Sequence, residues 1–418
     1  MNKLIFATLP GLLVVAAIPY GTVEAWWKAA FVCAVFAICI LAIIDGLVIK
    51  GAPILLPMLA LSVLAFVQTF SIGSQQVASI TVRNTISADP SQTRFFALQM
   101  FALTAWLALL YRYVSSERRI RILVYTILGI AVVSALFGIL RQATQHQTGF
   151  VLPLLRQNQG YGQFVNKNHF AYLMEMAFGL GIGMAIANGI KRDRLMIYVA
   201  LLLPIWTALV LSNSRGGILA MLVQIVSAAL LLSSRSLSVL RAVLLVVLVV
   251  GVLLGTFWVG GDRLASNFEN ASRELNPIEA AGVSRNEIWR ATLKMFAAHP
   301  IAGVGLGGYW IGITAYHDAS GLMTPQEAHN DYLELLSSGG LIGFAIGVWF
   351  AVVVIREARR NFSFDGSSYL RLGAILGIIG VGAHSLVDFG LHILINAIVF
   401  LSLIMIATRK STNAYANS

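Results

Sequence analysis

Charged residues are scarce in this sequence, and so are cysteines. Only 11% of the 418 residues are charged and two are cysteines, whereas 58% are hydrophobic. A soluble domain carries about 25% charged residues, so the composition excludes a soluble enzyme, a disordered chain and a disulfide-stapled secreted domain. Cys33 and Cys39 share one apolar stretch and lie on different sides of a helix, too far apart to pair. The sequence has no CxxC motif and no zinc-ligand spacing.

Long continuous apolar stretches dominate instead, and the polar–apolar alternation of an outer-membrane barrel is missing. A membrane-spanning helix needs about 20 consecutive apolar residues. Such a run must be helical, because lipid cannot form hydrogen bonds with free backbone groups. The chain is therefore predicted to be an all-α polytopic membrane protein with about twelve transmembrane helices. The first stretch resembles a signal peptide, but its cleavage site is poor and we expect an uncleaved span. The twelve stretches are Leu4–Tyr20, Ala29–Ile49, Ala52–Phe70, Phe95–Val114, Ile120–Leu140, His169–Ala187, Leu195–Leu211, Ile218–Leu232, Val239–Val259, Leu341–Ile355, Leu370–Phe389 and Leu391–Ala407.

The basic residues are distributed unevenly between the two sides of the membrane. With twelve spans and a cytoplasmic N-terminus, the cytoplasmic side holds 17 of the 29 basic residues and five of the 18 acidic residues. Cytoplasmic connections normally carry the excess of Lys and Arg, so the pattern predicts that both termini are cytoplasmic. The net charge of +11 then reflects topology, and a nucleic-acid partner is not expected.

One long polar connection divides the chain into residues 1–259 with nine spans, a periplasmic loop 260–328, and residues 329–418 with three spans. Ser284-Arg285-Asn286-Glu287 is a capping box, and helical periodicity continues to Ala298 before His299-Pro300. Thr324-Pro325-Gln326-Glu327 is a second capping box, which predicts a helix running through His329 to about Leu336. The glycine run Gly303–Gly308 between them fits a flexible turn better than a phosphate cradle, because no strand–helix context frames it.

Three polar residues on the predicted periplasmic side are candidates for chemistry. Arg215 begins a span between small residues that leave room for a ligand, although an interfacial snorkelling arginine is the alternative. Arg285 lies in the first turn of a helix, where a cation is unfavourable unless an anion binds there; an ordinary surface arginine is equally compatible. His329 lies where the polar loop meets lipid, and histidine is the usual general base near neutral pH, although a lone histidine is more often structural.

Other polar residues give weaker signals. Polar donors gather before the sixth span, with two arginines nearby in sequence. His384 and Asp388 fall on one helix face at i, i+4 and suit a structural pair as well as a catalytic one, but two ligands do not make a metal site. Glu175 lies inside the sixth span with no evident partner. The donors and arginines are Asn166, Lys167, Asn168, Arg141 and Arg156.

Arg215-Gly216-Gly217-Ile218-Leu219 matches an R-x3-L motif. His329-Asn330, nine residues, and Gly340-Leu341-Ile342-Gly343 match H[NSQ]-x9-GxxG. Together with the topology and the long loop before the histidine, these motifs resemble the O-antigen ligase and Wzy-type polymerase superfamily of bacterial membrane glycosyltransferases. The resemblance covers nearly the whole chain, and the joint order and spacing of the motifs carry it.

The resemblance implies a GT-C-like, inverting, metal-independent enzyme without a cofactor in the bacterial inner membrane. Its donor would be a glycan on undecaprenyl pyrophosphate, bound by Arg215 and Arg285, and His329, supported by Asn330, would activate the acceptor hydroxyl. The acceptor would be lipid A–core for a ligase, which the complete motif pair favours, or another lipid-linked glycan for a polymerase. A transporter or flippase is the alternative of a different class. It would place charges near the midplane, whereas here they gather at one face.

Overall fold

A computed structural model of the chain describes residues 1–49, 52–77, 80–144, 160–186, 192–233, 285–317, 324–362 and 368–409, with a few isolated positions between them. Within this part the chain is almost entirely helical. The helices are α1 (Asn2–Ala17), α2 (Ala25–Ile44), α3 (Leu55–Val67), α4 (Pro90–Tyr113), α5 (Glu117–Thr144), α6 (Lys167–Ile186), α7 (Arg192–Leu211), α8 (Arg215–Ser233), α9 (Arg285–Ala298), α10 (Tyr309–Gly312), α11 (Asp331–Asn361), α12 (Ser368–His384) and α13 (Leu394–Thr408). Short 3-10 turns follow at Ile313–Ala315 and Gly390–His392.

The predicted apolar stretches coincide with these helices. Five described helices, namely α2, α4, α5, α6 and α11, are long and apolar enough to cross a membrane, and six shorter apolar helices accompany them. Eleven of the twelve predicted stretches therefore lie on helices in the described part, whereas Val239–Val259 lies almost entirely outside the described residues. The all-α membrane class is confirmed, and the total of twelve spans and the GT-C arrangement stay predictions.

One small element departs from the all-α prediction. Strands β1 (Ser71–Val77) and β2 (Ile80–Thr85) form a two-stranded antiparallel sheet in the connection between α3 and α4. The register pairs Val77 with Ile80 and shifts between Ser71 and Gly73. The sheet is confined to a short connection, so it leaves the helical architecture unchanged.

Helix α6 lies in the centre of the bundle and packs very closely against α12. Every residue of this helix from His169 to Ile186 is buried. A Cβ atom on Gly179 would lie 2.5 Å from the backbone nitrogen of Gly377, and one on Gly183 would lie 2.3 Å from the Cα of Gly373. Both helices thus carry a small-xxx-small pair that lets two backbones touch, which is the usual way for helices to associate in lipid. This contact fixes the start of α6 relative to the end of α12.

Predicted cytoplasmic residues from distant parts of the sequence meet at one end of the bundle. Arg409 donates from Nη1 to the carbonyl of Tyr111 at 3.1 Å, and Arg371 donates to the carbonyl of Asn361 at 2.7 Å. Arg119 donates to the carbonyl of Tyr113 at 2.6 Å. Carbonyls at helix C-termini lack partners within the helix, so these arginines cap them. This basic end agrees with the assignment of these connections to one side of the membrane.

The glycine run Gly303–Gly308 lies at the opposite end, where hydrogen bonds hold it in place. Gln68 accepts from the Leu306 N–H at 3.0 Å and donates to the carbonyls of Ala302 and Ser338 at 2.7 and 3.0 Å. The Gly307 N–H donates to Thr93 Oγ1 at 3.1 Å. The run forms a turn, as expected, and these hydrogen bonds attach it to its neighbours. The N–H groups of Leu306 and Gly307, which a phosphate cradle would need, are already used.

Helix α11 is broken at Gly340, the first glycine of the GxxG motif. Gly340 has φ 62° and ψ −165°, a conformation that favours glycine. The break frees two N–H groups, and the loop satisfies both of them: Leu341 N donates to Pro300 O at 2.8 Å and Ile342 N donates to Ile301 O at 3.2 Å. The loop segment that follows α9 is thereby joined to α11.

Candidate active site at the polar end

The predicted loop helix exists, and Arg285 is its first residue. Helix α9 covers Arg285–Ala298, as the sequence predicted, whereas Ser284 of its capping box lies outside the described residues. The buried side chains of Ala291 and Met295 pack with Val304, Tyr309, Ile313 and Ala328 in a small core beneath the loop. One turn after Arg285, Trp289 donates from Nε1 to the carbonyl of Ala328 at 3.0 Å. This hydrogen bond attaches α9 to the residue that precedes His329.

His329 lies in a tight turn immediately before a helix. Helix α11 begins at Asp331, and residues 324–330 are not helical, so the helix predicted from the second capping box was wrong. Asn330 is the N-cap, and its Oδ1 accepts from the N–H groups of Tyr332 and Leu333, both at 3.0 Å. The histidine itself has φ 50°, a left-handed conformation that is uncommon for residues other than glycine.

Neighbouring groups on both sides hold this strained turn in place. Before it, the Ala328 N–H donates to Glu334 Oε2 at 2.9 Å. After it, Asn330 donates to the carbonyl of Leu386 at 2.9 Å and the Asp331 N–H donates to the carbonyl of Ser385 at 3.0 Å. Strained backbone of this kind persists only where its surroundings determine it, and it concentrates at functional sites.

Asp388 joins three separate elements. It lies in the connection 385–393, because α12 ends at His384 and not near Phe389 as the hydropathy suggested. Its side chain is 1% exposed, with Oδ2 3.9 Å from Arg285 Nη2 and Oδ1 3.5 Å from His329 Nδ1. The amide of Asn168, at the start of α6, donates to Oδ2 in a short hydrogen bond. The structure thus brings together Arg285, His329 and Asn168, which are far apart in sequence.

The surroundings of Asp388 favour the ionised form of its carboxyl group, because its pKa is lowered. Burial alone would raise its pKa, but hydrogen bonding by His329 and by the Phe389 N–H, together with nearby positive charge, lowers the pKa to about 2. The N–H of Phe389 lies 2.9 Å from Oδ1. A permanent carboxylate beside an imidazole favours the proton on the facing nitrogen and leaves the other nitrogen basic. This is the arrangement that a general base requires.

Arg215 is the first residue of α8 and is exposed. The next residue, Gly216, packs so closely on His384 that an added Cβ would lie 2.3 Å from Nε2 of that ring. Lys167, at the start of α6, donates to the carbonyl of Asn213 at 3.0 Å in the connection before α8. The starts of α6 and α8 therefore meet beside the end of α12, four residues before Asp388.

The remaining predicted residues have mainly structural contacts. Asn166 accepts from the Asn168 N–H at 2.8 Å, and Arg141 donates to the carbonyl of Gly162 at 2.8 Å. Arg156 lies outside the described residues. The predicted pairing of His384 with Asp388 was wrong: His384 Nδ1 lies 2.8 Å from Glu175 Oε2, and both side chains are buried.

A cluster around His392 was not predicted from the sequence. Its Nδ1 lies 3.3 Å from Glu327 Oε2, and its Nε2 lies 3.6 Å from carboxylate oxygens of both Asp331 and Glu334. Burial would lower the pKa of His392, but the surrounding carboxylates outweigh it and raise the pKa to about 10. One ligand atom from each of Glu327, Glu334 and His392 lies within 4.8 Å of the others, as a metal site needs. However, both ring nitrogens face carboxylates, which suits a protonated imidazole better than a metal ligand, since a metal takes one nitrogen.

The rings of His169, His329 and His392 all stand nearly edge-on to Phe389, with ring-centroid distances of 5.0, 4.9 and 5.7 Å. Phe389 and His392 could not be found by motif, because the hydropathy assigned this connection to the ends of two spans. The sequence feature that could have pointed to the cluster around His392 was Glu327, which we interpreted as part of a capping box.

Residues 199–348 match the family model described as O-antigen ligase. The match includes Arg215, Arg285, His329 and the GxxG glycines, and it confirms the resemblance identified from the motifs. Residues 199–348 are therefore similar to the O-antigen ligase family, and this similarity supports the O-antigen ligase and polymerase superfamily. No curated protein matches the chain. Asp388 and Asn168 lie outside the matched segment.

Proposed function

We propose that the protein transfers a glycan en bloc from undecaprenyl pyrophosphate to an acceptor hydroxyl at the periplasmic face of the bacterial inner membrane. The observation that carries this proposal is the meeting of Arg285 and His329 at one buried, ionised carboxylate, 3.9 and 3.5 Å away. An anion site and a base next to each other are what a transfer from a pyrophosphate carrier requires. The family match supports the general class, a membrane glycosyltransferase.

The donor pyrophosphate would bind between Arg215 and Arg285. Each arginine is the first residue of a helix, where free N–H groups and the helix dipole favour an anion. A guanidinium forms paired hydrogen bonds with phosphate oxygens, and fixed cations stabilise the charge that develops on the leaving group. Arg285 is directed towards Asp388, so the carboxylate would keep the arginine in place for the phosphate.

His329 would accept the proton of the acceptor hydroxyl. The hydroxyl oxygen forms a bond to the anomeric carbon as the bond from that carbon to the pyrophosphate oxygen breaks. The proton moves to the imidazole, and undecaprenyl pyrophosphate leaves with the electron pair. Asp388 remains ionised and stabilises the imidazolium that forms. A single displacement of this kind inverts the anomeric centre.

For the acceptor we propose lipid A–core, the acceptor of an O-antigen ligase. A Wzy-type polymerase would use a second lipid-linked glycan in the same position. We further propose that both termini are cytoplasmic, so that the active site faces the periplasm. A flippase function would leave the strained, fixed turn at His329 without a role.

Reconstituted protein tests the proposal directly. Purified wild type in proteoliposomes should convert undecaprenyl-pyrophosphate glycan and lipid A–core into a glycosylated lipid A–core, measured by gel shift and mass spectrometry. A second reaction that contains only the donor should not increase the length of the lipid-linked glycan. Chain extension in that second reaction would assign a polymerase, and no product in either reaction would refute a glycosyltransferase with these substrates.

A matched pair of arginine variants tests the donor site. Arg215→Lys should lose about 10²-fold in turnover, since one preorganised donor of this kind contributes about 10²–10³-fold. Arg290→Lys, on the exposed side of α9, should retain wild-type turnover. Equal activity of the two variants would contradict the proposed role of Arg215.

A further inference from the structure

A histidine and a glutamate face each other inside the helical bundle, one helical turn before Asp388. His384, the last residue of α12, places Nδ1 2.8 Å from Oε2 of Glu175 in the middle of α6, and their side chains are 1% and 0% exposed. Among the described residues neither His384 Nε2 nor Glu175 Oε1 has a hydrogen-bond partner, so the two side chains depend on each other for polar contact. An ionisable pair inside a membrane protein is costly and is usually kept for a function.

Two further contacts restrict the imidazole ring of His384. Tyr172, one turn before Glu175 on α6, stacks on the ring with the centroids 4.0 Å apart and the planes inclined by 15°. Gly216, at the start of α8, packs against its edge, where an added Cβ would lie 2.3 Å from Nε2. The ring is therefore enclosed by α6 and α8, and the hydrogen bond to Glu175 determines the direction in which Nδ1 points.

The backbone of the same histidine holds the turn that carries Asp388. The carbonyl of His384 accepts from the N–H groups of Val387 at 2.9 Å and of Asp388 at 3.1 Å. Between them, Ser385 donates from Oγ to Asp331 Oδ2 at 2.6 Å and accepts from the Asp331 N–H at 3.0 Å. His384 thus ends α12 and sets the path of the next four residues, so a displacement of its ring would be passed on to Asp388.

From these contacts we infer that Glu175 and His384 are positioning residues, which hold Asp388 in place between Arg285 and His329. The inference rests on the proposed function, because it requires that Asp388 takes part in glycan transfer. The distances at stake are those from Asp388 to Arg285 Nη2 and to His329 Nδ1, 3.9 and 3.5 Å. A displacement of about 1 Å within a catalytic site can lower turnover by about 10²-fold, so a buried contact behind the site affects the rate.

Substitution of Glu175 tests the inference by steady-state kinetics in proteoliposomes. Glu175→Leu should lower kcat by about 10- to 100-fold. Glu175→Gln, whose amide can still form a hydrogen bond with Nδ1 of His384, should stay within about 3-fold of wild type. Thr408→Val is the matched control, because it removes a buried hydroxyl that is hydrogen-bonded to Tyr111 near the end of α13, and it should keep the wild-type kcat.

A combination with Asp388→Asn separates positioning from general damage to the fold. In that background Glu175→Leu should lower kcat further by about 3-fold at most, because residues that act through one group are not additive. A full loss in both backgrounds, a wild-type kcat in Glu175→Leu, or equal losses in the Leu and Gln variants would each overturn the inference.

Glu175→Leu leaves His384 without its partner inside the bundle, which can prevent insertion. In that case Glu175→Met combined with His384→Leu removes both polar groups at similar volume, an exchange that proteins often tolerate. This pair variant should show the same loss of kcat as expected for Glu175→Leu, and the same non-additivity with Asp388→Asn. A wild-type kcat in the pair variant would overturn the inference.

Electron paramagnetic resonance gives a readout that needs no turnover. A nitroxide on Leu386→Cys, with Cys33 and Cys39 replaced by alanine, reports the mobility of the connection that carries Asp388, and Leu386 is 53% exposed. Its spectral lines should be broad in the otherwise unchanged protein and in Thr408→Val, and narrower when Glu175 is replaced by leucine. If wild type transfers no glycan, the proposed function fails, and the spectra still decide whether Glu175 holds the connection: narrower lines support this, and identical spectra overturn it.

Discussion

The two ends of the helical bundle use their charged residues in different ways. At the basic end, Arg119, Arg371 and Arg409 donate to backbone carbonyls at helix termini. At the polar end, Arg285, His329 and Asp388 face one another through their side chains. Arginines at the first end complete the helices, whereas those at the second are available to a ligand. Arginine occurs at both ends, so the residue type does not distinguish these two roles. The group that each arginine contacts, a backbone carbonyl or a side-chain carboxylate, does distinguish them.

Cysteine labelling tests most sharply that the two ends lie on opposite sides of the membrane. In a variant with Cys33 and Cys39 replaced by alanine, Ala298→Cys at the polar end and Ser115→Cys at the basic end both place an exposed thiol. A membrane-impermeant maleimide should label only the first in intact spheroplasts and both after lysis, an all-or-none difference. The reverse pattern would invert the topology and remove the periplasmic active site.

Removing the base should give the largest loss of activity. We expect His329→Ala and His329→Gln to lower kcat by about 10²–10⁴-fold, the usual contribution of general-base catalysis, with donor binding retained. His299→Gln, in the same loop but exposed, is the control. Near-normal turnover of His329→Gln would exclude this histidine as the base.

Asp388→Asn should lower kcat nearly as much as the His329 variants do, by about 10²- to 10⁴-fold. The upper value is the loss that the same substitution causes in a Ser-His-Asp triad. The amide keeps the shape but neither stabilises the imidazolium nor holds Arg285. Because the pKa of Asp388 is about 2, its carboxylate does not titrate near neutral pH, so the effect of Asp388→Asn should be constant between pH 5 and pH 8. Steady-state kinetics at pH 5–8 would measure this. A variant with full kcat would remove Asp388 from the site.

Equivalent arginine exchanges at the two ends should differ strongly. Arg285→Lys should raise the donor KM and lower kcat/KM by about 10²-fold, because an ammonium does not reproduce the paired hydrogen bonds of a guanidinium. Arg409→Lys retains one donor to a carbonyl and should leave kcat/KM within about 2-fold of wild type, with a loss of about 0.5–1.5 kcal/mol in stability. Similar kcat/KM values for the two variants would abolish the distinction between the ends.

The smallest effect is expected at His392. Its raised pKa of about 10 means that the imidazolium stabilises the fold fully below its ordinary value of 6.5 and loses this effect as pH rises through about 10. His392→Gln should lower the apparent Tm by about 2–4 °C at pH 7, and the difference from wild type should shrink towards pH 11. Differential scanning fluorimetry in detergent measures it. A difference that stays constant with pH would show that His392 is not held as an imidazolium.

The sequence predicted the helices, because long apolar runs carry that information, and it predicted the start and end of α9. It also singled out Arg285 and His329, which the structure brings together at Asp388, whereas their catalytic roles and that of Arg215 stay predictions. It misplaced the start of α11, because Asn330 and not Thr324 caps that helix, accepting from the N–H groups of Tyr332 and Leu333. The sequence suggested Asp388 as the partner of His384, whereas the structure shows Glu175. This pairing depends on the tight packing of α6 on α12. Hydropathy does not register such packing, although the spaced pairs Gly179/Gly183 and Gly373/Gly377 were a signal for it.

The break at Gly340 determines which parts of the chain can be exchanged between relatives. Two hydrogen bonds from the broken helix to Pro300 and Ile301, and one from Trp289 to Ala328, fasten α9 to α11 on both sides of the histidine turn. A chimera that replaces α9 alone separates these pairs and misaligns the arginine and the histidine. A chimera that exchanges residues 285–362 as one block keeps them matched. The transplantable unit in this protein therefore runs across the boundary between loop and membrane helix.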